Sequence, residues 1–201
     1  PAEGQPTLFV RKVVARARRE SALGAVVALA SVRDLPAAIE DRYDSLPARL
    51  GLELDVLPVL RFRRLEDLFP EAAFEDVGRA VVRHRAVKSA WEIERIGAAA
   101  RVADEVSRLL PGLLEEGLTE VEFAGRVEAE ARRLGHEGFI RMRGFNQEMF
   151  YGQLLTGLSG CVPSYLDTPL AGAGLSPSVA QGPSFRRIGR GEPVVFDFVP
   201  V

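Results

Sequence analysis

Asp197 is the residue whose type and position most clearly suggest chemistry. It interrupts an apolar run, with VVF before it and FVPV after it, in the segment GRGEPVVFDFVPV at 189–201. Such a run predicts a continuous buried strand with both faces covered. An ionised carboxylate in that place is costly unless a cation or hydrogen-bond donors compensate for it. Two interpretations follow: Asp197 binds a cation, or it ends the strand at an exposed rim and caps a turn.

Other residues that often carry chemistry lack the patterns that mark a site. His84 and His136 stand outside any H-E-x-x-H or C-x-x-C spacing, and we interpret both as structural or surface residues. Cys161 has no local nucleophile signature, and Ser159, in G-L-S-G, lacks the spacing of a nucleophile elbow. The chain contains neither G-x-G-x-x-G nor a phosphate loop. Asp197 therefore remains the main candidate.

The composition disfavours several classes of protein. Of the 201 residues 47% are hydrophobic, and 26 basic and 28 acidic residues are interspersed, which leaves a net charge of -2. This balance is typical of a globular protein and gives no support to a nucleic-acid or membrane partner. The single cysteine excludes an internal disulfide and fits a reducing compartment. Because no apolar run approaches the roughly 18 residues of a membrane span, we expect a cytoplasmic protein.

The elements before residue 89 alternate between short apolar runs and helical patterns. The basic stretch at 11–19 is interpreted as a solvated helix face. Helical patterns occupy RDLPAAIEDRY and PVLRFRRLEDLF. Four runs have the character of strands: 6–10, 25–31, 49–55 and 72–77. The alternation predicts an α/β layer with a mainly parallel sheet in a first domain, 1–88.

Two capping boxes mark the start of a different region. Ser89 with Glu92, and Thr119 with Glu122, each predict the first turn of a helix. Apolar residues at helical spacing give each helix one stripe. The first stripe is Ile93, Ile96, Ala100, Ala103, Val106 and Leu110, and the second is Phe123, Val127, Ala131 and Leu134. We expect the first helix to end at Pro111 and Gly112, and the second at Gly135.

The pattern beyond Gly138 favours strands and a long connection. GFIRMRGF and MFYGQLLTGL have the alternation of strands, whereas the stretch 159–190 is rich in Gly, Pro and Ser. A connection of that length is more often functional than a simple link. The second domain is therefore expected to cover 89–201.

Four segments resemble one known family. They are R-x-V-K-S-x-W-E-I-E-x-I at 85–96, G-L-T-E-x-E-x-A at 117–124, E-A-E-x-R-R-L-G at 128–135 and R-R-I-G-R-G-E-P-V-V-F-D at 186–197. In this order they resemble the Xaa-Pro dipeptidases and aminopeptidases, creatinase-like metallopeptidases with the pita-bread fold. PTLFVRK and GLELDVLP resemble the N-terminal domain of those enzymes. The resemblance implies an α+β chain: a partial creatinase-type α/β domain at 1–88, incomplete at its start, followed by the first half of a pita-bread domain at 89–201.

The resemblance also implies a metal site and an activity. Asp197 stands where the family has the first of five ligands, and the other four would lie beyond Val201. Together they would hold two divalent ions, Mn, Co or Zn, which activate a bridging water. The parent protein would hydrolyse Xaa-Pro bonds in dipeptides or short peptides, whereas the 201-residue chain alone is expected to be inactive and to bind no metal. A homodimer that pairs through the N-terminal domain is the family expectation.

One departure from the family keeps other functions open. The family commonly has a histidine shortly before the 186–197 motif, at about the position of Ala180 in this chain. The alternatives are creatinase-type amidinohydrolysis, which uses the same scaffold without metals, and a non-catalytic binding module. Phe145, Tyr151 and Tyr165 are candidate residues for the substrate pocket, although aromatic residues beside strands are more often part of a core or wall.

Overall fold

The computed structural model describes residues 5–143, 148–149, 151–163 and 170–200. Contacts within the chain divide it into two units, Pro1–Ala86 and Val87–Val201. The division lies two residues before the boundary expected from the sequence.

The first unit consists of short strands that alternate with helices. Its elements are β1 (Thr7–Val10), α1 (Val14–Glu20), β2 (Ala25–Ala28), a 3-10 turn (Val32–Asp34), α2 (Leu35–Tyr43), β3 (Arg49–Leu52), α3 (Val59–Leu68), β4 (Ala73–Asp76) and α4 (Gly78–Ala86). All four predicted strands and both predicted helices are confirmed. The basic stretch is confirmed as a surface helix, since α1 has no buried residue.

Strand pairing in the first unit is parallel throughout the described residues. β1 pairs with β2 and β3 pairs with β4, each pair being joined through a helix, as a parallel connection requires. The expected parallel pairing is confirmed, but it is divided between two two-stranded sheets. Phe62 on α3 packs edge-on against Phe74 on β4, with ring centroids 5.5 Å apart.

The second unit begins with two helices and continues with strands. Its elements are α5 (Ala90–Leu113), α6 (Glu120–Arg133), β5 (Ile140–Arg141), β6 (Glu148–Met149), β7 (Gly152–Thr156), a 3-10 turn (Gly157–Cys161) and β8 (Val194–Phe198). Both capping boxes form: the Glu92 N–H donates to Ser89 Oγ at 3.3 Å, and the Glu122 N–H donates to Thr119 Oγ1 at 3.2 Å. The predicted starts of both helices are therefore confirmed.

The predicted end of α5 is wrong by two residues. Pro111 lies inside the helix, which continues to Leu113 and closes with a 3.1 Å bond from the Leu114 N–H to the Leu110 carbonyl. Proline lacks the N–H that would bond the carbonyl four residues earlier. Only one helical bond is lost this close to the end, so the last turn still forms. The second helix ends at Arg133, followed by Gly135 at φ 103°, as predicted.

The core of the second unit lies between α5, α6 and β7. Its buried members are Val106, Phe123, Ala124, Val127, Ala131, Leu154 and Ile188. The N-terminal part of the α5 stripe lies outside this core, because Ile93 and Ile96 are 59% and 53% exposed. At about 1.5 Å per residue, the 24 residues of α5 extend about 15 Å beyond the length that the 14 residues of α6 can cover. Among the described residues, no helix combines the length and apolarity needed to cross a membrane.

Candidate functional site

Asp197 lies on β8, on the face of the β7–β8 pair that points away from the helices. The two strands are antiparallel, with Asp197 opposite Gln153 and Phe196 opposite Leu154. Directly opposite residues share a face, and successive residues alternate. Because Leu154 and Phe196 pack into the helical core, Asp197 and Gln153 belong to the other face.

The prediction that β8 is a continuous buried strand is wrong. None of its five residues is buried: Val194 is exposed, and the other four, Asp197 included, are half-buried. Among the described residues β8 pairs with β7 alone, so one of its edges has no strand beside it. The desolvation cost expected for an ionised Asp197 is therefore reduced.

The segment 170–183 folds over the same face of β7. Gly182 donates to the Ala171 carbonyl at 2.6 Å and accepts from the Gly174 N–H at 3.1 Å, which closes the segment on itself. Gln153 and Leu155 are consequently 2% and 0% exposed. Next to Gln153 this segment and α6 enclose a cleft of about 430 Å³.

Glu128 contributes a carboxyl group to that cleft. The side chain is half-buried on α6, beside Gly152, Gln153 and Pro183, and burial raises the pKa of the Glu128 carboxyl. Sequence reasoning missed this residue. The available signal was its spacing: Val121, Ala124 and Glu128 are three and four residues apart, which places a carboxyl group on a helix stripe that is otherwise apolar.

Glu120, the first residue of α6, is the most buried ionisable group described. It is 0% exposed. One carboxylate oxygen accepts from the N–H and hydroxyl of Thr156 at 2.8 and 2.9 Å, and the other accepts from the N–H and hydroxyl of Ser184 at 3.0 and 2.7 Å. Burial alone would raise the pKa of Glu120, but these four hydrogen bonds outweigh it and hold the pKa below its ordinary value. The carboxylate thus joins α6, the end of β7 and the segment before β8.

Two of the motif segments are paired through their backbones. The N–H of Gly117 donates to the Ile188 carbonyl at 3.0 Å, and the N–H of Ile188 donates to the Leu118 carbonyl at 2.8 Å. Arg186 and Glu192 form an ion pair within the second of these segments. The Arg186 guanidinium, with the Gly189 N–H, holds the pKa of Glu192 at about 2. These contacts position the turn that leads into β8.

Acid should therefore destabilise the protein in a definite range of pH. The pKa values of Glu120 and Glu192 are lower in the folded protein than the ordinary carboxyl value of 4.5. Both carboxylates therefore stabilise the fold at pH values above 4.5, and this stabilisation is lost as the pH falls from 4.5 towards 2. We expect the urea midpoint to fall over that range, and the Glu192→Gln variant to show a shallower fall. Exposed Glu116, with no hydrogen-bond partner among the described residues, gives a control in Glu116→Gln. If the urea midpoint falls equally steeply with pH in the unsubstituted protein and in both variants, Glu192 does not contribute to the acid sensitivity.

His136 is confirmed as a structural residue. It is 2% exposed, its Nδ1 accepts from the Gly138 N–H at 2.8 Å, and its Nε2 lies 2.9 Å from the Val199 carbonyl oxygen. Because Nδ1 is an acceptor, the ring proton is on Nε2 and is donated to Val199. The imidazole also stacks on Tyr151 at 4.5 Å and contacts Phe198 at 5.4 Å. The end of β8 is thereby tied to the end of α6.

The candidate residues that the structure describes are not gathered around Asp197. The Tyr151 ring packs with His136 and the helical core, on the side of the sheet opposite Asp197. Ala180 is exposed in the segment that covers β7. Phe145 and Tyr165 lie outside the described residues. Cys161 is a free, exposed thiol and Ser159 is buried.

The described residues do not form a complete metal site. A carboxylate such as Asp197 is the kind of oxygen ligand that hard divalent cations take. Within the described ranges, however, no group of three or more His, Cys, Asp or Glu side chains could hold a metal ion. No catalytic step through a metal follows from these residues alone.

The two units have recognisable relatives. Residues 1–87 match the family described as the Creatinase/Prolidase N-terminal domain. The first unit is therefore similar to the N-terminal domains of creatinases and prolidases. An uncharacterized peptidase of Staphylococcus saprophyticus is 33% identical over 95 residues, 47% of this chain and 27% of that protein. A creatinase of Bacillus sp. is 37% identical over 76 residues, 38% of this chain and 18% of that protein.

Solved structures of this fold match both units of the chain. The X-Pro aminopeptidase from Thermotoga maritima matches 98% of the chain at 20% identity, with a TM-score of 0.75, and 49% of that structure is covered. The prolidase from Pyrococcus furiosus matches 96% at 22% identity, with a TM-score of 0.71 and 51% of that structure covered. The chain thus spans about half of these structures. The creatinase/prolidase resemblance and the α+β fold expected from the motifs are confirmed.

Proposed function

We propose that the whole protein is a metal-dependent peptidase that hydrolyses Xaa-Pro bonds in dipeptides or short peptides. The observation that carries this proposal is the structural match over 98% of the chain to an X-Pro aminopeptidase, together with the prolidase match. An uncharacterized peptidase among the relatives of this chain points to the same class. The family motif at 186–197 leads directly into the strand that carries Asp197.

In this proposal Asp197 is one ligand of a pair of divalent ions, Mn, Co or Zn. The ions would lower the pKa of a bound water and stabilise the oxyanion when the peptide bond is attacked. The residues of this chain hold Asp197 in place: Glu120 and Arg186 order the turn before β8, and His136 anchors the strand after it. Phe145 and Tyr165 remain proposed substrate contacts, whereas Tyr151 packs with His136 and the helical core and is not proposed as one. A cytoplasmic homodimer remains the proposed state.

The test is hydrolysis of an Xaa-Pro dipeptide by the whole protein with added manganese. We expect activity that a chelator removes and that Asp197→Asn lowers at least about tenfold, because a ligand carboxylate is lost. The 201-residue chain alone should show no hydrolysis, since one carboxylate cannot satisfy two cations that each take several oxygen ligands. Chelator-sensitive cleavage by the chain alone would refute that expectation, and chelator-insensitive cleavage by the whole protein would refute the metal assignment.

Creatinase-type amidinohydrolysis is the second candidate. It is favoured by the 37% identity to a creatinase over 76 residues. Ala180, at about the position where the family commonly has a histidine, favours a non-catalytic binding module instead. Creatine and an Xaa-Pro dipeptide offered in parallel separate the two functions. Urea release from creatine that survives chelation supports amidinohydrolysis, whereas absence of both reactions favours the non-catalytic binding module.

A further inference from the structure

A cavity in the first unit gathers three arginines. Its volume is about 410 Å³. Arg11 directly follows β1, Arg33 lies in the 3-10 turn after β2, and Arg64 lies on α3. The cavity therefore lies at the carboxyl ends of two neighbouring parallel strands, the edge at which open α/β sheets commonly bind ligands.

The charge on the cavity wall is positive. Asp67 is the one carboxylate among its lining residues, against three guanidinium groups. Among the described residues none of the three guanidinium groups has an ion-pair or hydrogen-bond partner, whereas Arg16, Arg49 and Arg63 elsewhere in this unit each pair with a glutamate. The planar guanidinium presents several donors in a fork that matches the oxygens of a carboxylate or phosphate. Three such groups on one cavity have their donors available to a ligand.

Ser31 adds a neutral donor to the same wall. Its Oγ accepts from the Arg33 N–H at 3.2 Å, and its own N–H donates to Asp34 Oδ2 at 2.7 Å. The oxygen is thus held in place by the capping box, and the hydroxyl proton has no acceptor among the described residues. A hydroxyl fixed in this way can donate to an anion in the cavity.

We propose that this cavity binds a small molecule through a group with two or more anionic oxygens. The volume lies at the lower end of the roughly 300–1,000 Å³ typical of small-molecule sites, which favours a small ligand. Phosphate and carboxylate groups share the required chemistry. This site is separate from the peptidase proposal and uses none of its residues.

The test is isothermal titration of the full 201-residue chain with inorganic phosphate and, separately, with citrate at matched ionic strength. We expect saturable binding of at least one anion, and Arg33→Gln with Arg64→Gln should weaken it about tenfold, since each substitution removes a charge-assisted contact. Asp67→Asn should tighten binding several-fold, because it removes the opposing charge. Preference for phosphate or citrate identifies the anionic group.

Arg61→Gln is the matched control, because Arg61 is an exposed arginine of the same helix that does not line the cavity. Its affinity should equal that of the unsubstituted protein. Circular dichroism of each variant establishes that it is folded. The proposal is overturned if neither anion saturates, if Arg61→Gln loses as much affinity as the double variant, or if a folded Asp67→Asn variant binds no more tightly.

Discussion

Replacing Glu120 with alanine should lower the free energy of unfolding by roughly 3–5 kcal/mol, because two backbone donors lose their acceptor. The Thr156 N–H is fully buried and the Ser184 N–H is partly so. The substitution also frees two hydroxyl donors and leaves a cavity at the first turn of α6. Urea unfolding at pH 7 measures the loss.

Two further variants separate charge from shape at this position. Glu120→Gln keeps the size of the side chain but places an amide opposite donors, so it should lower the free energy of unfolding less than Glu120→Ala does. The stability of the Glu120→Gln variant should also depend less on pH below 4.5. Glu130→Ala on the same helix removes only a surface ion pair with Arg133 and should change stability by less than about 0.5 kcal/mol. If Glu120→Ala lowers the free energy of unfolding no more than Glu130→Ala does, the buried carboxylate does not stabilise the fold as described.

Replacing Gly152 with alanine should lower the free energy of unfolding by roughly 3 kcal/mol or more. A Cβ at this position would overlap the carbonyl oxygen of Asp197 and lie 2.9 Å from the Cα of Phe198, with φ at 132°. Both atoms are backbone, so no side-chain rotation relieves the contact. β8 must separate from β7 just where it carries Asp197.

Gly125 provides the control for this substitution. It lies within α6, and an added Cβ there meets nothing within 4 Å. Gly125→Ala should raise stability by roughly 0.5–1 kcal/mol, because alanine favours the helix more than glycine does. Thermal unfolding of the two variants should therefore shift in opposite directions. A neutral Gly152→Ala would show that β7 and β8 are not held as closely as described.

The features predicted correctly from sequence depend on local interactions. The Ser89 and Thr119 capping boxes involve residues three apart, so the helix starts follow from the sequence itself. The strands of the first unit follow from short apolar runs between helical patterns. The end of α5 was misjudged because proline disrupts a helix according to its distance from the end, and Pro111 lies in the final turn.

Features that depend on distant contacts could not be predicted in this way. Glu120 bonds to residues 36 and 64 positions away, and no spacing rule links them. The sequence marks Asp197 as a charge within an apolar run and predicts that the segment 159–190 is a functional connection. It did not indicate the sheet face that carries Asp197, because that face depends on the register with β7.

Among the residues that the structure describes, one edge of β8 has no strand beside it, and this gives Asp197 a further expected role. Val194, Val195, Phe196 and Phe198 surround it, so Asp197 is the one charge in a strand that pairs only with β7 among the described residues. Short apolar β segments with an open edge add further chains readily, and a single charge is an effective gatekeeper against that growth. Any variant that neutralises Asp197 should therefore be screened for self-association by light scattering, since we expect the carboxylate to limit strand addition whether or not it binds a cation.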